Sequence, residues 1–154
     1  MSDFRPLLGT LSLALIAGCA GPPADGGDGD GATGMPSAGL LTADADGWYS
    51  GQTLDGATRV RWRSESGGTP ANVLFSLELE LLDGAQPVTG AQVGVSAFMP
   101  DHGHGMNYVP QTTELGAGLY RVDGMLLHMP GFWQLHVDVV RDGLASRATF
   151  DLNL

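Results

Sequence analysis

The chain of 154 residues contains no lysine and a single cysteine, and its seven arginines face seventeen acidic residues. So few cations leave it poorly equipped to hold nucleic acid or an anionic membrane surface, both of which are gripped through Lys and Arg. No apolar run reaches the roughly 20 residues that a bilayer-spanning helix needs. No capped amphipathic run of helical length occurs either. Chemistry is sparse too: there is no Ser/His/Asp grouping, no cysteine nucleophile beyond position 19, and no carboxylate pair in an apolar setting. The chain is therefore expected not to be an enzyme.

What is present begins with an N-terminal address. Leu7 to Gly18 is an apolar run of twelve residues broken only by small or hydroxylated side chains, and it ends in Ile16-Ala-Gly-Cys19. This ending resembles the lipobox of bacterial lipoprotein signal peptides, so residues 1–18 are excluded from the fold. The resemblance implies that Cys19 becomes the lipidated first residue of the mature protein. Ala20 stands where inner-membrane lipoproteins often carry Asp, so the implied location is the periplasmic side of the envelope, at the outer membrane rather than the inner. Removal of residues 1–18 takes away Asp3 and Arg5 and leaves six arginines against sixteen acidic residues. From Cys19 to Asp46 the chain is dominated by Gly, Ala, Asp and Pro, with Asp25-Gly-Gly-Asp-Gly-Asp-Gly31 at its centre. Such a composition buries too little surface to offset its ordering entropy and predicts a flexible tether with a reach on the order of 28 Å.

Residues 47–154 have the size of one domain with one core. Their apolar residues recur with the period of strands. Val60 and Trp62 alternate with Arg59, Arg61 and Arg63; Val73, Phe75, Leu77, Leu79 and Leu81 alternate with Ser76, Glu78 and Glu80. Val93, Val95 and Ala97 form a third run, Trp133 to Val139 a fourth, and Ala148, Phe150 and Leu152 a fifth. Turn signals separate them, among them Ser66-Gly-Gly-Thr-Pro70, Asp83-Gly84 and Asp142-Gly143. The pattern predicts an all-β fold, an antiparallel sandwich of six to eight strands with one buried and one wet face per strand. Trp62 and Trp133 are assigned to the core, and His136, between Gln134 and Asp138, to the surface.

Two loops stand out chemically. Met99-Pro-Asp-His-Gly-His-Gly-Met106 and Met125-Leu-Leu-His-Met-Pro-Gly131 hold His102, His104 and His128 of the four histidines, and Met99, Met106, Met125 and Met129 of the six methionines. Imidazole and thioether together suit copper, thioether favouring Cu(I). The candidate metal ligands are His102, His104 and His128 as nitrogen donors, with Met106, Met129 or Met99 as sulfur donors. A bland alternative is two surface turns whose methionines fill the core beneath. Zinc, with the three histidines and Asp101, is a weaker option because zinc sites seldom use methionine.

A strand ending in Met-Pro-x-His-Gly-His-Gly-Met, then Gly118-Leu-Tyr-Arg-Val122, then Met129-Pro-Gly-Phe-Trp-Gln-Leu-His-Val137, resembles the YtkA-like (FixH-related) domain. The resemblance covers most of residues 74–152. It implies an immunoglobulin-like sandwich outside the cytoplasmic membrane, associated with copper handling or with oxidase assembly and metal transport components as partners. Part of the same region is similar to periplasmic copper chaperones of the PCuAC type: 21 residues separate Met106 from His128 as in that pattern. Here the final His-x-Met is replaced by His128-Met129, and Val95 occupies the position of an upstream His. Two functions are thus expected to compete: a lipid-anchored copper-binding protein that buffers or delivers one Cu(I) or Cu(II) ion, and a non-metal accessory module of an envelope complex.

Overall fold

Alternation of apolar and polar side chains is realised as ten strands in the computed structural model, which describes residues 41–154. In chain order they are β1 (Tyr49–Gln52), β2 (Arg59–Ser64), β3 (Phe75–Asp83), β4 (Gln86–Pro87), β5 (Gln92–Met99), β6 (His104–Gly105), β7 (Gln111–Gly116), β8 (Leu119–Met125), β9 (Phe132–Arg141) and β10 (Leu144–Asn153). One sheet runs β1-β2-β3-β8-β7 with β4 paired to β3, and the other runs β10-β9-β5-β6. Every pairing between named strands is antiparallel. There is no helix among the described residues. The fold is an antiparallel immunoglobulin-like β-sandwich. β4 and β6 are two-residue pairings, which leaves eight strands of ordinary length, the upper bound predicted from periodicity.

The inner faces of the two sheets supply the core. Trp62, Leu79 and Val122 from the first sheet and Trp133, Leu135 and Val137 from the second are all essentially solvent-free. Trp62 is stacked by Tyr49 at 4.4 Å between ring centroids and met edge-on by Phe150 at 6.1 Å. This apolar burial is the main favourable term holding the sheets together. The wet face of β2 and β3 carries crossed charges in register: Arg61 pairs with Glu80 and Arg63 with Glu78. Trp48 covers both guanidinium groups, at 4.9 and 4.6 Å.

Two local departures have clear causes. Val73 is 56% exposed instead of opening the inward row of β3, because Asn72 adopts a left-handed φ of 57° and the strand begins only at Phe75. Within residues 41–46, which composition assigns to the tether, the Asp44 carboxylate accepts hydrogen bonds from the amides of Asp46 and Trp48 and pairs with Arg61 at 3.0 Å. These donors, the Trp48 amide first, hold its pKa below the ordinary Asp value. Cys19 and residues 1–40 lie outside the described residues.

Candidate metal centre

The first loop begins where β5 ends. Met99 is an inward residue of β5 with 1% exposure. Its carbonyl accepts hydrogen bonds from the amides of His102 at 3.2 Å and Gly103 at 2.9 Å, closing a tight turn. Gly103 takes φ +68°, a conformation that costs a residue with a side chain. The chain then doubles back as β6, pairing His104 with Met99 and Gly105 with Phe98. Directly opposed residues of an antiparallel pair share a face, so His104 is turned toward the interior end of the sandwich, on the side of Met99. A Cβ on Gly105 would lie 3.0 Å from the Ala97 carbonyl oxygen, and glycine permits that approach. His102, at the tip of the turn, is exposed, while His104 is half-buried.

The second loop joins β8 to β9. Leu127 is fully buried and its carbonyl accepts the Asn72 amide at 2.6 Å, which anchors the backbone immediately before His128. Beyond it, the Trp133 indole N–H donates to the Met129 carbonyl at 3.0 Å. Gly131 and Leu154 exchange two backbone hydrogen bonds of 3.1 Å. A Cβ on Gly131 would stand 2.9 Å from the Met99 methyl carbon, so the thioether of the first loop rests against the backbone of the second. The two motifs, some twenty residues apart in sequence, meet at one end of the sandwich.

Their imidazoles meet as well. The His104 and His128 ring centroids are 5.1 Å apart with planes 29° from parallel, and His102 and His104 are 5.8 Å apart at 43°. Trp133 forms the floor, its indole edge-on to His128 at 5.4 Å and to His104 at 6.1 Å. His104 Nδ1 lies 3.3 Å from the Gly105 carbonyl. Protonation of Nδ1 satisfies that carbonyl and leaves the Nε2 lone pair free to bind a metal. His128 Nδ1 is buried and has no hydrogen-bond partner. An unpaired buried polar atom costs about 1–3 kcal/mol, so this nitrogen is placed against the interest of stability.

Among the described residues, no three His, Cys, Asp or Glu side chains are grouped so as to hold a metal ion. The imidazoles are arranged as two neighbouring pairs that share His104, and the zinc set of three histidines with Asp101 is not assembled. Met106 and Met129 are half-buried against the core, and Met125, like Met99, is buried within it. His136 lies elsewhere, on the outer face of β9 opposite Ser96 and Thr149. Burial, and secondarily Arg147, lowers its pKa from the usual histidine value, with Asp138 opposing. The residue that sequence reasoning underrated is Trp133: assigned only to the core, it also holds the second loop and floors both imidazoles. Its position four residues beyond Met129 was the available signal.

Residues 56–138 match the YtkA-like family model, more than half of the chain and inclusive of both loops. This chain belongs to the YtkA-like family. No curated protein and no solved structure matches it. In this YtkA-like domain Val95, the residue at the upstream histidine position of the copper-chaperone pattern, is a buried inward residue of β5. It offers no ligand atom, so the copper-chaperone pattern is not reproduced at this position.

Proposed function

We propose that this YtkA-like protein binds one copper ion at the loop end of the sandwich and buffers or delivers it in the cell envelope. The observation that carries the proposal is the buried, unpartnered Nδ1 of His128 beside the His104 ring. Two imidazoles with a thioether form a donor set that suits Cu(I), which accepts few ligands and favours soft ones. On this reading His104 and His128 give the nitrogens, and one of Met106, Met129 and Met99 gives the sulfur. The bound ion supplies no reaction here; it is cargo. The protein's own residues position the ligands: the Met99 turn aims His104, and the Trp133 hydrogen bond to Met129 fixes the loop that carries His128.

Met106→Leu and Met129→Leu test the sulfur donors, since leucine keeps the apolar bulk and removes the thioether. The variant that removes the true ligand is expected to lose Cu(I) affinity while sparing Cu(II), measured by competition with chelators of known affinity. Unchanged Cu(I) binding in both would restrict sulfur ligation to Met99 or eliminate it. The resemblance of Ile16-Ala-Gly-Cys19 to a lipobox supports attachment to a membrane through acyl chains on Cys19. Detergent partition of wild type against Cys19→Ser tests this; equal partition would rule out the anchor. A second reading, an interaction module that carries no metal, draws on Phe98, Tyr108 and Val109, which are 37%, 53% and 84% exposed beside the first loop. It predicts that leucine at positions 106 and 129 is neutral for every metal.

A further inference from the structure

The three histidines differ in exposure and in the company they keep. His102 stands exposed at the turn tip, while His104 and His128 are both half-buried, His128 with its Nδ1 out of contact with solvent. Ring centroids are 5.8 Å apart for the first step and 5.1 Å for the second. An ion bonded to two imidazole nitrogens at about 2.0 Å each joins rings whose centroids are roughly 5–6 Å apart. Both neighbouring pairs fall in that range of centroid distances, and among the described residues no triad is grouped to hold one ion. That combination is the geometry of a file and not of a cage.

We infer that His102 is the transfer ligand of this protein: copper is taken up and released through His102, with His104 as the shared partner, and rests at the His104–His128 pair. The inference rests on the copper reading above and adds a direction to it. Transfer proceeds by ligand exchange without change of oxidation state. The ion bound by His102 and His104 gains His128 Nδ1 as it loses His102, so it keeps at least one imidazole throughout. The reverse sequence presents it at the exposed tip to a Cu(I) carrier that offers its own soft ligand, thioether or thiolate. Burial of Nδ1 favours the resting position, because coordination satisfies an atom that nothing else in the protein satisfies.

The test is stopped-flow transfer of Cu(I) between the purified protein and a chromogenic Cu(I) chelator, alongside equilibrium competition with the same chelator. A transfer ligand alters both directions of exchange equally and leaves the equilibrium in place. His102→Ala is expected to keep its Cu(I) affinity within about threefold of wild type while uptake and release each slow by about tenfold or more. His128→Ala is expected to lose affinity. His102 lies exposed on a turn, so its removal leaves the fold intact, which thermal unfolding of the variant verifies. The inference is overturned if His102→Ala loses as much affinity as His128→Ala, which would make His102 a resting ligand. It is equally overturned if His102→Ala exchanges copper at the wild-type rate. Failure of the wild-type protein to take up Cu(I) is a separate result and removes the copper reading itself, and this inference with it.

Discussion

Trp133→Ala is expected to destabilise the domain by about 3–5 kcal/mol, the range for removal of a large aromatic from a close-packed core. Trp133 has no solvent exposure and pairs with Leu152 across the β9–β10 ladder. Its loss opens a cavity between the sheets. It also removes the donor to the Met129 carbonyl and the surface against which His104 and His128 are set edge-on. Copper affinity is therefore expected to fall together with stability. His136→Ala, on the opposite face of the same strand, provides the comparison and is expected to change stability by no more than about 0.5 kcal/mol. Urea unfolding of the two variants separates them. Equal losses would mean that the inward face of β9 has been assigned to the wrong residues.

His128→Leu is expected to divide stability from function. Leucine replaces the unpartnered Nδ1 with apolar atoms, so the metal-free domain should be as stable as wild type or more stable, by up to about 1–3 kcal/mol. Cu(I) affinity should fall by at least about a hundredfold, since loss of a direct ligand exceeds the 10–100-fold cost of disturbing its supporting hydrogen bonds. His104→Leu should lose affinity as well, without the gain in stability, because His104 Nδ1 already has the Gly105 carbonyl as partner. A His128→Leu domain that is markedly less stable and binds copper as before would assign His128 to packing.

Much of this architecture is written in the alternation of side chains. Trp133, Leu135, Val137 and Val139 against Gln134, His136 and Asp138 specify a strand with one buried and one wet face, and β9 has that pattern over its inward residues. β7 carries no such contrast. Gln111–Gly116 has no buried residue on either face and is a strand because the β8 backbone pairs with it; periodicity has nothing to register there. β6 is shorter still, and its two residues pair with β5 only because the Met99 turn folds them back. Val73 fits the alternation and yet stays outside, because the left-handed turn at Asn72 intervenes.

The candidate site was legible as a coincidence of ligand types and not as a geometry. His102, His104, His128 and the methionines are visible as two clusters in the sequence. Whether the rings form a triad or a file depends on the β5–β6 register, the indole of Trp133 and the contact of the Met99 methyl with Gly131. The first two are short-range, a hairpin and a residue five positions beyond His128, but the Met99–Gly131 contact, which brings the two loops together, joins positions far apart in the sequence. The orphaned Nδ1 is the least predictable feature, since it appears only when every potential donor and acceptor around His128 has been placed.

The most direct measurement is titration of the purified wild-type protein with Cu(I), under reducing and oxygen-free conditions, against a competing chelator. The copper reading predicts one saturable Cu(I) per chain, tighter than about 1 μM. Absence of a saturable site of that strength for both Cu(I) and Cu(II) would contradict it.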